Sequence, residues 1–360
     1  MKVHEKYMQR CIDLAKNGLG TTYPNPLVGS VIVYNQSIIG EGWHYKAGEP
    51  HAEVNAINSV ADKGLLKEAT IYVSLEPCSH FGKTPPCADL IIANGIKSVV
   101  IGSTDPNPKV SGNGIKKLIE AGCNVTVGIL ESDCIHLNKR FFTFHNKKRP
   151  YIILKWAQTK DGFIAPAATS TRSKDITEQQ PVWITNTYSR QRTHKLRAEE
   201  QAILVGTNTV LKDNPSLTTR DWKGTSPTRI VIDRKLKIPS EASIFDGTAP
   251  TIIITEKQKE ALENINFEVI DFQKNIAQQI CSVLHKYNLQ SVIIEGGAIT
   301  INTFIKDNLW DEAHIFTGNA IFEDGVKAPI FSEEQKANIS LLSEENLQND
   351  TLQLFKNNAT

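Results

Sequence analysis

HAEVNAINSVADKGLLKEATIYVSLEPC, residues 51–78, decides how the first half of the chain folds. Residues 52–63 read as a helix, and the β-branched run TIYVSL at 70–75 reads as a strand. The same alternation continues on both sides. LVGSVIVY at 27–34 is a β-branched strand, 87–94 is helical, SVVIG at 98–102 is a strand, 114–121 is helical and 124–127 is a short strand. Strands alternating with helices predict an α/β sandwich around a parallel or mixed sheet.

The stretch also carries chemistry. His51, Ala52 and Glu53 are followed by Pro77 and Cys78, then by Cys87 after eight intervening residues. One imidazole and two thiolates suit zinc, and three protein ligands leave a fourth tetrahedral position for water. Glu53 stands two residues beyond the histidine, placed to carry a proton between that water and a substrate ring without binding metal. This is the H-x-E…P-C pattern of zinc base deaminases, except that their second half is a tight P-C-x-x-C. With SHFGKTPP between the cysteines, a closed structural zinc site completed by His44 or His80 stays open as an alternative.

A chain of 360 residues exceeds one ordinary core and predicts two domains. The charged stretch NKKRP at 146–150 is the boundary candidate, giving domains 1–147 and 148–360. Hydrophobic content of 40% and charged content of 22% are those of a globular protein. A net charge of +1 provides no whole-chain field for nucleic acid or anionic membrane. Residues 1–20 read as an amphipathic helix, not a signal peptide, and no run is long enough to span a membrane. A cytoplasmic location is expected. Cys11, Cys123, Cys134 and Cys281 lie in apolar segments and read as small buried hydrophobes.

The second half contains neither GxGxxG nor a Walker A pattern, so a Rossmann domain is not expected. Its strands are predicted at 151–154, 202–206, 229–233, 251–255 and 291–295, with 165–180 as a loop. Between the last strand and a helix at 299–306 stand Gly296 and Gly297, a junction whose backbone N–H groups suit a phosphate.

PCSHFGKTPPC at 77–87, TYPNPLVGSVIV at 22–33, GWHYKAGEPHAEVNAI at 42–57 and DPNPKVSGNGI at 105–115 resemble the deaminase domain of the bifunctional RibD/RibG family of riboflavin biosynthesis. LKWAQTKDGFIA at 154–165, VWIT at 182–185, HKLRAEEQAILVGTNTVLKDNPSLTTR at 194–220, RIVID and IIEGG resemble its reductase domain, over roughly residues 150–330. The resemblance implies a cytidine-deaminase-like α/β/α sandwich followed by a dihydrofolate-reductase-like α/β domain. It also implies one zinc per chain, NADPH, small phosphoribosylaminopyrimidine substrates and a possible homo-oligomer, without nucleic-acid or membrane partners.

Residue by residue, the resemblance makes His51, Cys78 and Cys87 the metal ligands and Glu53 the catalytic acid–base. Asn25, His44, His80, Lys83, Asp105 and Asn107 would meet the deaminase substrate. Lys155, Arg197, Leu217, Arg220 and Glu295 would meet the reductase substrate. Gln158, Trp183, Thr209, Asp213, Arg234 and the run Gly297, Ala298, Ile299, Thr300, Ile301, Asn302 and Thr303 would meet the dinucleotide, with Arg234 near the 2′-phosphate. One departure is visible. Pro181 stands where the family carries a serine two residues before the tryptophan, and proline brings neither a hydroxyl nor an N–H. Thr177 is a neighbouring hydroxyl in that longer loop. The competing readings are a single-function cytidine- or tRNA-type deaminase with a degenerate reductase domain, and a non-catalytic zinc-stabilised nucleotide-binding module.

Overall fold

The computed structural model describes residues 2–79, 85–107, 111–167 and 183–360. It divides into two compact units, Met1–Lys148 and Arg149–Thr360, the division falling inside the charged 146–150 stretch. Among the described residues, no helix is long and apolar enough to cross a membrane.

The first unit holds α1 (Lys2–Ala15), β1 (Gly29–Tyr34), β2 (Ser37–Trp43), α2 (Ala52–Ser59), β3 (Thr70–Leu75), α3 (Cys87–Ala93), β4 (Ser98–Ser103), α4 (Asn113–Glu120), β5 (Asn124–Val127), α5 (Glu131–Leu137) and α6 (Lys139–Lys147). Its sheet runs β2-β1-β3-β4-β5. β1 is antiparallel to β2 and β3, while β3–β4 and β4–β5 are parallel. Side chains alternate across the sheet as a strand period of two requires. Ile32, Ile71, Val73, Val99 and Ile101 pack on Ala56, Ile57, Ala88, Ile91 and Leu118 from α2, α3 and α4. Val31, Val33, Tyr72 and Val100 pack on Tyr7, Met8, Cys11, Ile12 and Cys134 from α1 and α5. The product is the expected three-layer sandwich.

The helix predicted over 52–63 stops at Ser59. Val60 is extended, and the side chain of Asp62 accepts the N–H of Gly64 at 2.9 Å, starting a separate 3₁₀ segment over Lys63–Glu68. A short acidic side chain that binds nearby backbone competes with helix continuation, and it prevails here.

The second unit contains β6 (Tyr151–Gln158), β7 (Phe163–Pro166), α7 (Thr187–Glu199), β8 (Ala202–Gly206), α8 (Thr207–Asp213), β9 (Thr228–Ile232), β10 (Thr251–Thr255), β11 (Ile265–Val269), α9 (Ile276–Lys286), β12 (Ser291–Glu295), α10 (Ala298–Lys306), β13 (Glu312–Thr317), β14 (Gly325–Lys327), β15 (Ile339–Leu347) and β16 (Asp350–Asn357). Among the described residues its main sheet runs β11-β10-β9-β8-β12-β6-β13-β16-β15, parallel from β11 to β13 and antiparallel beyond. Ala165 and Pro166, expected in a loop, belong to β7 and pair with β14. From residue 168 that loop, with Thr177 and, beyond it, Pro181, lies outside the described residues.

β12 enters the sheet between β6 and β8, so the order of winding reverses there. Such a reversal opens a crevice at the carboxyl ends of parallel strands. Ile153, Ile203, Val205 and Ile293 pack on Leu196 and Val210 from α7 and α8. Ile152, Leu154, Val292 and Ile294 pack on α9 and α10.

Candidate active sites

His51 is the N-cap of α2, and Cys87 is the first residue of α3. Cys78 lies just beyond the end of β3. The Nδ1 of His51 stands 3.3 Å from the Cys87 sulfur and 3.6 Å from the Cys78 sulfur. All three donor atoms lie within 4.8 Å of one another. In tetrahedral zinc coordination, nitrogen and sulfur ligands stand about 3.6 Å apart. The donor types and their separations therefore fit zinc. The Cys87 N–H, at the start of α3, donates to the Cys78 sulfur at 3.3 Å and favours thiolate there. The hydrogen bond with Cys87, aided by His51, holds the Cys78 thiol well below its ordinary range, while Cys87 is raised by the same bond and by burial. His51 is itself raised by its bond to Cys78.

Glu53 belongs to the buried stripe of α2 formed with Ala52, Ala56 and Ile57. Burial raises its carboxyl to about 7, and the charge of Cys78 adds to the effect. A carboxyl that titrates near neutrality suits proton transfer.

His44 is buried, and its ring centroid is 5.3 Å from that of His51. Its Nδ1 pairs with the Pro50 carbonyl at 3.1 Å and its Nε2 with the Asn25 amide at 3.0 Å. Both ring nitrogens are thus engaged, which leaves neither free as a fourth metal donor, and burial lowers the pKa of the ring. His80 and Lys83 lie outside the described residues.

Asp105 and Asn107 sit on the loop after β4, where the Asp105 carboxylate accepts the Asn107 N–H at 2.7 Å. The residue that organises this loop, Glu76, was not singled out from the sequence. Its buried carboxylate accepts N–H groups from Asp105 (3.2 Å) and Gly112 (3.0 Å) on Oε2, and from Gly114 (2.9 Å) and Ile115 (3.4 Å) on Oε1. It fastens the strand end bearing Cys78 to the start of α4. A Cβ on Gly114 would stand 2.0 Å from the Pro77 carbonyl oxygen, so only glycine permits that approach.

In the second unit, a cleft of about 960 Å³ opens at the carboxyl ends of β6, β8 and β12. Lys155 and Glu295 are register partners on β6 and β12. The Lys155 ammonium bonds one Glu295 oxygen at 2.8 Å, and the Arg197 guanidinium from α7 bonds the other at 3.0 Å. Burial alone would raise Glu295, but the two cations outweigh it and hold the carboxyl down at about 2. Glu295 is therefore a fixed anion, able only to accept hydrogen bonds.

Trp183, Thr209, Asp213, Leu217, Arg220, Gly297, Ala298, Ile299, Thr300 and Thr303 also line the cleft. The Thr209 hydroxyl accepts the Gly297 N–H at 3.1 Å, which ties the start of α8 to the glycine junction. Gly296 has φ +124°, and a Cβ there would stand 2.8 Å from the Thr209 hydroxyl.

Four expected contacts are not gathered into the cleft. Arg234 bonds Glu256 at 2.6 Å, lies over the Phe272 ring and is not among the lining residues. Gln158 is outside the lining as well, paired with the Trp156 indole N–H at 2.8 Å. Ile301 is fully buried in the core beneath α10, and Asn302 faces a separate pocket. A contiguous run on a helix cannot direct every side chain to one side. In contrast, Arg190, Thr193, His194 and Ser216 line the cleft without having been expected there. The spacing of the first three along α7, 190, 193, 194 and on to 197, is the helical period that signals a shared face.

A buried carboxyl beside a zinc-type donor trio on one unit, and a cation-lined, glycine-floored cleft on the other, define a two-centre deaminase–reductase. Residues 1–103 match the cytidine and deoxycytidylate deaminase zinc-binding region, and residues 150–353 match the RibD C-terminal domain. The riboflavin biosynthesis protein RibD of Aquifex aeolicus is 40% identical over 363 residues, covering 99% of each chain. That of Bacillus amyloliquefaciens is 42% identical over 323 residues, covering 87% of this chain and 84% of the relative. The crystal structure of the diaminohydroxyphosphoribosylaminopyrimidine deaminase/5-amino-6-(5-phosphoribosylamino)uracil reductase of Thermotoga maritima superposes with a TM-score of 0.86 at 38% identity, covering 99% of both chains.

The chain belongs to the RibD family of bifunctional deaminase–reductases of riboflavin biosynthesis. The matched regions imply zinc in the first unit and NADPH in the second. The match over 150–353 leaves the single-function deaminase reading without support.

Proposed function

We propose that the first unit deaminates 2,5-diamino-6-(5-phosphoribosylamino)pyrimidin-4(3H)-one and that the second reduces the product's ribosyl group to ribityl, giving 5-amino-6-(5-phosphoribitylamino)uracil. The observation that carries this reading is the His51 nitrogen 3.3 and 3.6 Å from two sulfurs, with buried Glu53 two residues further on. His51, Cys78 and Cys87 would hold a single zinc, which would act as a Lewis acid and bring the pKa of an attacking water to about 7. Glu53 takes one proton from the attacking water and gives it to the ring nitrogen, then moves the second from the new hydroxyl to the amino group, which leaves as ammonia while the carbonyl forms. Asn25 and His44, joined by their 3.0 Å contact, present fixed polar groups to the pyrimidine edge, with Asp105 and Asn107 on the adjoining loop and His80 and Lys83 as further contacts.

In the second unit, bound NADPH would supply the hydride: the C1′–O4′ bond breaks as the amine proton passes to O4′, and the resulting imine takes hydride at C1′ and a proton from solvent at nitrogen. Glu295 accepts a hydrogen bond from a sugar hydroxyl, and Lys155 and Arg197 hold that carboxylate in place. Arg197 and Arg220 take the phosphate, and Leu217 bounds the sugar. Thr209, Asp213, Trp183 and the backbone of residues 297–300 hold the dinucleotide. The substrates are small molecules, and no nucleic acid takes part.

The deciding experiment is Glu53→Gln. The variant should keep about one zinc per chain and full NADPH-dependent reduction of supplied deaminated intermediate, while deamination falls by a factor of about 10² or more. Deamination at the parental rate in that variant would overturn the assignment of Glu53.

A further inference from the structure

The arm at residues 216–221 holds Arg220 at the rim of the reductase cleft, and α7 grips that arm at two points one turn apart. Arg197 donates from NH1 to the Thr218 carbonyl at 3.2 Å. The backbone N–H of Arg220 donates to Nδ1 of His194 at 3.0 Å. Within the arm, Leu217 takes φ +56°, a left-handed conformation that a branched side chain adopts only when its surroundings enforce it. The Arg220 guanidinium, itself exposed, folds back onto the hydroxyls of Ser216 and Thr218.

His194 is buried at 5% exposure and lines the cleft. Accepting an N–H at Nδ1 requires a lone pair there, so the ring is neutral with its proton on Nε2, which faces the Asp221 carboxylate at 3.5 Å. Burial keeps the imidazole neutral, Arg197 and Arg220 reinforce this, and Asp221 and Glu295 oppose it. A protonated ring would present a donor to the Arg220 N–H, and the clamp would open.

We propose that His194 is a positioning residue of the reductase: as a neutral acceptor it pins the Arg220 backbone and so aims the guanidinium at the phosphate of the substrate. The inference rests on the reading of Arg220 as a phosphate contact. It predicts an effect on binding of the phosphorylated substrate, not on hydride transfer.

The test compares His194→Leu and His194→Met, which lack the acceptor, with His194→Asn, whose Oδ1 replaces Nδ1. Each is made in the full chain and assayed by NADPH oxidation with the deaminated intermediate and with its phosphate-free counterpart. The leucine and methionine variants should raise KM for the phosphorylated substrate about five- to tenfold, the range of one lost hydrogen bond. Their kcat and their KM for NADPH should stay near parental values, and the asparagine variant should restore KM. With the phosphate-free substrate, all should behave alike. As the pH falls below the ordinary histidine range, the parent should lose affinity in a way that His194→Asn does not.

Equal losses with both substrates, or a fall in kcat that asparagine does not rescue, would make His194 merely structural and end the proposal. Arg220→Met separates the two layers. If it leaves KM unchanged, the phosphate reading of Arg220 fails. If it raises KM while the His194 variants do not, only the positioning role fails.

Discussion

Replacing Glu76 by glutamine tests whether a single carboxylate fastens the deaminase centre. One oxygen becomes an NH2 group, which must then face two backbone donors. If it replaces Oε1, the bonds from Gly114 at 2.9 Å and Ile115 at 3.4 Å are lost; if Oε2, those from Gly112 at 3.0 Å and Asp105 at 3.2 Å. Either orientation gives up one short bond, one long bond and the anion itself. Hydrogen bonds to a charged acceptor contribute about 1.5–3 kcal/mol each, and the long one counts for less, so the loss is about 2–4 kcal/mol. That is a large share of a domain's net 5–15 kcal/mol or so.

Calorimetry should therefore show the first unit melting roughly 5–15 °C lower, with zinc released more readily on dialysis. The second unit, compact in its own right, should reduce supplied intermediate at the parental rate. A melting shift under about 1 °C together with unchanged deamination would refute the argument, because the four N–H groups would then be satisfied without the carboxylate.

Removing the metal with a chelator should abolish deamination and leave NADPH oxidation intact, since His51, Cys78 and Cys87 all belong to the first unit; zinc added back should restore activity in a paired assay of both steps. Gly296→Ala places a Cβ 2.8 Å from the Thr209 hydroxyl at a φ of +124°, so KM for NADPH should rise by about tenfold while deamination is untouched, as steady-state titration of the cofactor would report. Glu295, held at about 2 against an ordinary 4.5, contributes stability that is fully present above pH 4.5 and fades as the pH falls toward 2. Its lowering corresponds to roughly 3 kcal/mol, so the denaturation gap between the parent and Glu295→Gln should be largest near neutrality and close in acid.

The metal trio was legible because histidine and cysteine are uncommon and their donor chemistry is narrow. It stayed legible even with eight residues inserted between the cysteines. Glu76 was not, because beside a strand it reads as ordinary polar punctuation. Its partners are backbone N–H groups at 105–115, and backbone donors leave no trace in side-chain identity. The placement of Arg234 was not legible for a related reason. Adjacency to a strand end gives position but not direction, and Glu256, 22 residues later, captures the guanidinium. Lys155 and Glu295 were found through the resemblance, but their pairing follows from register: each comes two residues after Ile153 or Ile293 on one strand face, at the edge of the cleft.

The two-residue interval between His51 and Glu53 has a consequence for robustness. The metal donor and the proton carrier are joined by covalent bonds within a single helical start, so their spacing is set by bond lengths and not by how neighbouring layers settle. Mutations that loosen the sandwich can shift α2 as a body, yet donor and carrier travel together. The cysteines enjoy no such tether to His51, so their distances from it depend on how the end of β3 and the start of α3 pack beside α2.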